Sequence, residues 1–151
     1  MTELTIDSAD HLRRSIGELV RAVQATETRP GGQIETMGFL SREGALSIAQ
    51  LARRRRVRHQ SLSGTVADLE AQGLVTRSPD PVDGRGVLIA LTEAGSAVID
   101  ESRTRRSTMV VDAAERGLTA DERAALAQTA DLLDKLRVAL LGQSAFPGDT
   151  A

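Results

Sequence analysis

Five arginines fall between residues 53 and 58, and His59, Gln60, Ser61, Ser63 and Thr65 follow directly. These side chains suit the gripping of a polyanion and the reading of its edges. A guanidinium neutralises a phosphate and can bind it with two parallel hydrogen bonds. A glutamine amide donates and accepts together on an adenine edge, and hydroxyls near a helix start add phosphate donors without bulk. Arg54, Arg56 and Arg58 are the expected phosphate contacts of the run, with Ser47 just upstream. His59 and Gln60 are the expected base readers, and Ser61, Ser63 and Thr65 the small polar contacts around them. Two further arginines stand apart. Arg77 closes an extended run, and Arg85 lies between Gly84 and Gly86, where a slim backbone leaves its side chain free to approach a groove. Asp83 would be repelled by phosphate and reads as a loop-stabilising acceptor.

Other chemistries find no footing. Paired carboxylates, an activated nucleophile or a phosphate loop do not stand at convincing spacing, and Gly84 with Gly86 lacks the rest of a dinucleotide fingerprint, so an enzyme is not expected. Zero cysteines exclude disulfides, and two histidines, His11 and His59, leave no zinc spacing. No cofactor and no metal are expected.

Elements must present these residues. Ser47 and Gln50 stand at the spacing of a capping box, and Ile48, Leu51 and Ala52 then share one stripe of a helix. Val57 and Arg58 make a turn. Leu62, Val66 and Leu69 bury one face of a second helix, which Gly73 ends at about Gln72. Leu74 and Val75 begin a strand through Arg77. Pro79, Pro81 and the Asp83–Gly84 pair make a loop, and Val87 to Leu91 return as a second strand. Helix, turn, helix and hairpin in this order predict one helix in the major groove and a wing beside it.

Charge divides in the same way. Residues 47–86 carry 7 basic and 4 acidic side chains, net +3, whereas the remainder is net −5, so the acidic whole conceals a basic module.

The segment DLEAQGLVTRSPDPVDGRGVLIALTEAG resembles the recognition-helix end and wing of the MarR family of bacterial transcription regulators. The likeness runs ungapped back through Val57 and more loosely from Ser8 to Leu141. Asp83, Arg85 and Arg77 match the family's wing and strand positions. Arg58 stands where a helix-starting Ser is usual, Gly64 where an Arg is usual, and Gly84 where a basic residue is common. Base contacts made at those positions do not carry over. The resemblance implies a mainly α fold with a small β-hairpin wing, an α+β winged helix-turn-helix carrying N- and C-terminal dimerisation helices. Thiol-based sensing, which some members use, is excluded by the absence of cysteine.

Around the 44–92 module the chain supplies helices. Leu12, Ile16, Leu19 and Val23 mark one over Ser8 to Thr26, which Pro30, Gly31 and Gly32 break. A shorter helix is expected over Gln33 to Arg42, with Ala45 and Leu46 in a small strand. Thr92 caps a long helix over Glu93 to Arg116, with Val98, Ile99, Met109 and Val110 among its buried positions. Thr119 and Glu122 open a last helix through Leu126, Leu133, Leu136 and Leu140. Residues 142–151, with Phe146 and Pro147, read as a loose tail.

Residues 1–151 thus read as one domain, with 8–27 and 93–141 expected to make a homodimer, since a single recognition helix sees few base pairs. The expected partner is double-stranded promoter DNA bearing a pseudo-palindromic operator, and the expected role that of a repressor. A small anionic or phenolic effector is expected to release it, with His11, Arg14, Met37 and Phe39 lining its cleft. No apolar run reaches membrane-spanning length and no charged-then-apolar leader opens the chain, so a cytoplasmic location is expected. The alternative is a winged-helix module that binds protein and uses its arginines only as solubilising charge.

Overall fold

The elements follow the punctuation of the sequence. A computed structural model of the chain describes residues 3–143. Its helices are α1 (Ile6–Gln24), α2 (Gly31–Glu43), α3 (Ile48–Arg55), α4 (His59–Ala71), α5 (Glu93–Gly117) and α6 (Ala120–Gln143). The strands β1 (Leu46–Ser47), β2 (Val75–Pro79) and β3 (Val87–Leu91) form one antiparallel sheet in the order β1-β3-β2. Two compact units result, one ending at Thr108 and one beginning at Met109.

In the first unit the apolar stripes close on each other. Leu51 of α3, Leu62, Val66 and Leu69 of α4, Met37 of α2 and Ile89 of β3 are wholly buried, with Ile99 of α5 beside them. Each large aliphatic side chain so buried contributes roughly 1.5–3 kcal/mol. The Ser47 hydroxyl accepts from the Gln50 N–H at 3.2 Å, and the Gln50 side-chain oxygen accepts from the Ser47 N–H at 2.8 Å, fixing where α3 begins. Gly73, at φ +70°, ends α4, with the Leu74 N–H donating to the Leu69 carbonyl and the Gly73 N–H to that of Glu70.

The hairpin pairs Val75 with Leu91 and Pro79 with Val87. Pro79 is accommodated because β2 lies at the sheet edge, where a missing donor costs no ladder bond. Thr92 joins wing to helix. Its hydroxyl donates to the Gly73 carbonyl at 2.7 Å and accepts from the Gly95 N–H at 3.0 Å. A Cβ on Gly95 would collide with the Leu74 carbonyl, so the start of α5 is held hard against the chain leaving α4.

Several expectations shift. Helix α1 starts at Ile6 because Thr5 and Ser8 form a capping box, which places Ser8 inside the helix. The break before α2 is Ala25 to Pro30. Gly31 and Gly32 belong to the first turn of α2, whose Gln33 and Ile34 N–H groups donate to the Pro30 carbonyl. Strand β1 lies one residue later than expected, and β2 runs on to Pro79. Val57 and Arg58 lie between α3 and α4 as expected, and the turn also takes in Arg56, the left-handed C-cap of α3. Met109 and Val110, expected among the buried positions of α5, are more than a third exposed, because the described residues leave that stretch partly uncovered. Helix α6 continues through Gly142 to Gln143, and the rest of the expected tail, with Phe146 and Pro147, lies outside the described residues. Among the described residues no helix is long and apolar enough to cross a membrane, and no group of side chains is arranged to hold a metal ion.

Candidate DNA interface

With Leu62, Val66 and Leu69 turned inward, α4 presents His59, Gln60, Ser61 and Gly64 outward, and Ser63 and Thr65 at half burial. The hydroxyls are partly committed to the helix. Ser63 Oγ donates to the His59 carbonyl at 2.9 Å and lies 3.4 Å from His59 Nδ1, while Thr65 Oγ1 donates to the Ser61 carbonyl at 3.3 Å. Each retains lone pairs outward but has its proton occupied, so both are weaker phosphate donors than their types suggest. Ser47 differs, because its hydroxyl accepts from the Gln50 N–H in the cap and does not spend its own proton there.

The arginines separate into two groups. Arg54 grips Glu43 at the end of α2 through Nε at 2.9 and 3.1 Å and Nη2 at 2.8 Å. The hydrogen bond from Arg54, more than its charge, holds the Glu43 carboxyl below its ordinary pKa. Arg55 pairs with Glu35, and Arg77 donates to Glu70 at 2.8 Å, bracing β2 against the end of α4. Arg53, Arg56, Arg58 and Arg85 are exposed and carry no ion pair among the described residues. Arg56 is notable for its backbone, at φ 53° and ψ 41°, a conformation that costs a residue bearing Cβ about 1–2 kcal/mol.

The wing tip is organised by its own carboxylates. Asp80 accepts from the Val82 and Asp83 N–H groups at 2.9 and 3.3 Å, and Asp83 accepts from the Arg85 N–H at 3.1 Å. The acidic pair thereby spends its charge on loop amides, and Asp83 is the loop-stabilising acceptor that its type suggests. Among the described residues the Arg85 guanidinium makes no ion pair.

A second cluster escaped the sequence reading. A cleft of about 600 Å³ in the first unit is lined by Arg29, Arg42, Arg103 and Arg106, with Ile34 and Phe39 as apolar surface. Arg42 lies over the Phe39 ring, 5.0 Å from its centre. Of the residues expected to line a cleft, Phe39 does so. Met37 is sealed in the core, and His11 and Arg14 are exposed on α1, Arg14 paired with Asp10. Two carboxylates, Glu27 and Glu35, also line the cleft, and Glu27 accepts from Ser102 Oγ at 2.5 Å, Arg105 Nη2 at 2.7 Å and the N–H groups of Thr28 and Arg29. Burial alone would raise its pKa; the bonds from Ser102 and Arg29, the charge of Arg105 and the Thr28 N–H reverse that and leave it lowered. The i, i+3 spacing of Arg103 and Arg106 on α5 was a legible signal for one cleft wall, whereas Glu27 and Arg29 lie in a connecting segment without periodicity.

Residues 28–86, from just before α2 to the wing tip, match the sequence model of the MarR family. An uncharacterized HTH-type transcriptional regulator of Mycobacterium leprae is 36% identical over 104 residues, 69% of this chain and 72% of its own length. The chain belongs to the MarR family.

Further similar proteins extend the likeness. A Pseudomonas aeruginosa PA01 structure described as a transcriptional regulator superposes with a TM-score of 0.79 at 26% identity, covering 91% of this chain and 97% of that one. The HTH-type transcriptional repressor NicR of Pseudomonas putida is 40% identical over 68 residues, 45% of this chain and 43% of its own. Bordetella bronchiseptica BpsR, whose DNA binding is regulated by 6-hydroxynicotinic acid, shares the fold at TM-score 0.54 and 23% identity over 89% of this chain and 97% of that one. As a MarR-family member the protein is a DNA-binding transcriptional regulator, and its family consists of regulators rather than enzymes.

Proposed function

We propose that this regulator is a homodimeric repressor that lays two copies of α4 in successive major grooves of a pseudo-palindromic operator and lets go when a small anionic or phenolic effector enters the Arg29–Arg106 cleft. The observation that carries the dimer is apolar surface left over. Among the described residues helices α1 and α6 bury none, and Leu19, Leu132 and Leu136 are 53%, 62% and 40% exposed. Faces of this kind mark association sites on soluble proteins. We therefore assign residues 8–27 and 93–141 to dimerisation. Helix α5, 25 residues and so about 38 Å long, is long enough to join that interface to recognition helices one DNA turn apart.

On the DNA, Arg53, Arg56 and Arg58 serve phosphates, Gln60 and His59 face base edges, Arg85 enters the adjoining groove, and Ser61, Ser63 and Thr65 line the contact. Arg54 offers only the guanidinium edge that Glu43 leaves open, and Arg77 acts as a brace. Three phosphate contacts per subunit give a dimer a log–log salt slope of roughly −5. The effector reading draws on the convergence of four cationic side chains and one aromatic ring on a single cleft, and on the nicotinate-type ligand of BpsR; the repressor reading draws on NicR.

Sedimentation of the full chain, followed by binding to duplexes selected from a random pool, tests the proposal. Dimers binding two-fold symmetric sites with that slope support it. Monomers, or affinity insensitive to salt, refute it.

A further inference from the structure

Arg29 faces two ways. Its side chain lines the cleft, and its Nη1 donates to the Gln72 side-chain oxygen at 2.7 Å across 43 positions of sequence. Gln72 is the C-cap of the recognition helix α4. Its amide nitrogen donates to the Asp68 carbonyl in the last turn at 3.0 Å and to Gln33 of α2 at 3.4 Å. One glutamine side chain thus ties the end of α4 to α2 and to the segment bordering the cleft. The Arg29 main chain is independently anchored, its N–H donating to Glu27, which α5 holds through Ser102 and Arg105. The guanidinium can therefore change partner while its backbone stays in place.

The competition is unequal. A guanidinium bound to a carboxylate makes a stronger, often two-pronged pair than it makes with a neutral amide oxygen. A cation at the end of α4 also complements the negative pole of that helix, and this contribution is lost if the cation turns away. We propose that Arg29 couples the cleft to the recognition helix: an anion in the cleft draws the guanidinium off Gln72 and loosens the last turn of α4, lowering affinity for DNA. This rests on the reading that the effector binds in the cleft.

The test uses the full chain, a duplex selected from a random pool, and 6-hydroxynicotinate as the probe at constant ionic strength. In the native protein the probe weakens duplex binding about tenfold, inside the usual range for coupled sites. Gln72→Ala, which leaves the cleft lining intact and removes the competing acceptor, binds the probe at least as tightly by calorimetry, yet duplex binding then changes by less than about threefold. Gln72→Glu holds Arg29 with a full charge, so the probe binds about tenfold more weakly. A merely structural role for Gln72 would not move the two variants in these different ways. Full weakening of DNA binding in Gln72→Ala overturns the coupling while leaving the effector reading intact. Absence of probe binding to the native protein counts against the effector reading, and hydrogen exchange then decides the coupling without ligand. Arg29→Ala speeds exchange at residues 69–73 about tenfold with α3 unaffected; unchanged exchange there overturns the proposal.

Discussion

The winged module and the terminal helices obey the same apolar periodicity and end in opposite states. In α4 each residue of the stripe, Leu62, Val66 and Leu69, is wholly buried by the same chain. In α1 and α6 the stripe through Leu12, Ile16 and Leu19 or through Leu126, Leu133 and Leu136 buries none fully. Periodicity reports that a helix has a face to cover; it is silent about which chain covers it. The module covers its own stripe, whereas among the described residues the terminal helices keep theirs uncovered.

The sharpest way to break this contrast is to remove one leucine from each region. Leu69→Ala is expected to cost about 2–5 kcal/mol of unfolding free energy at any protein concentration, because the surrounding core closes only partly over the void. Leu132→Ala leaves the folding of an isolated chain within about 0.5 kcal/mol and weakens self-association instead. Denaturant titrations at widely separated protein concentrations check both. An equal, concentration-independent loss from Leu132→Ala would erase the distinction drawn between the regions.

Next in size stands Glu27, which fastens the segment between α1 and α2 to α5. Glu27→Gln removes the charge that satisfies Arg105 and is expected to cost about 1–3 kcal/mol at neutral pH. The folded-state pKa of Glu27 is lowered, so its contribution is complete above the ordinary value of 4.5 and disappears as pH falls through the lower folded value. Unfolding midpoints of native and Glu27→Gln protein should therefore converge below about pH 4.5. A gap that stays constant into stronger acid would show that the carboxylate charge contributes nothing.

How far the sequence was legible follows the same division. Boundaries set by local chemistry were readable: the Ser47–Gln50 box, the Gly73 stop and the Thr92 cap all stand within a few residues of the backbone groups they satisfy. Boundaries set by competition between neighbours were not. Gly31 and Gly32 signal a break, but Pro30 ahead of them supplies the carbonyl that starts α2, so the glycines fall in a first turn where unpaired N–H groups are normal. The interface was legible by residue type and less so by availability. The sequence reading singled out Arg54, Arg56, Arg58, Arg77 and Arg85, yet Arg54 and Arg77 are held by Glu43 and Glu70, the first of which lies outside the 47–86 stretch. The cleft was legible only at Phe39 and in the Arg103–Arg106 spacing, because its cations come from a loop, α2 and α5 and meet only after folding.

That division of arginines gives a smaller effect to measure. Arg85→Ala is expected to weaken operator binding by about 1–2 kcal/mol and relax preference at one position if the side chain reads a groove edge. Arg77→Ala, losing a half-exposed brace, is expected to leave the salt slope unchanged and to cost under about 1 kcal/mol of stability. Binding isotherms across a salt series distinguish them. A salt slope reduced by Arg77→Ala would make Arg77 a phosphate contact and remove it from the bracing group.

The smallest effect in stability falls at Arg56, where fold and interface make opposite demands. A left-handed residue at the end of α3 favours glycine, and Arg56→Gly relieves that strain while adding freedom to the unfolded chain. The net gain in stability is expected to lie below about 1 kcal/mol, with the melting temperature rising slightly. Duplex affinity should fall at the same time, and a dimer losing two phosphate contacts should flatten its salt slope by roughly 1.8. Opposite movement of the two readouts is what separates a residue kept for its side chain from one tolerated in a turn. If Arg56→Gly stabilises the fold and binds DNA with an unchanged slope, then the arginine contributes nothing outside the chain, and the unpaired cations at the module surface reduce to Arg53, Arg58 and Arg85.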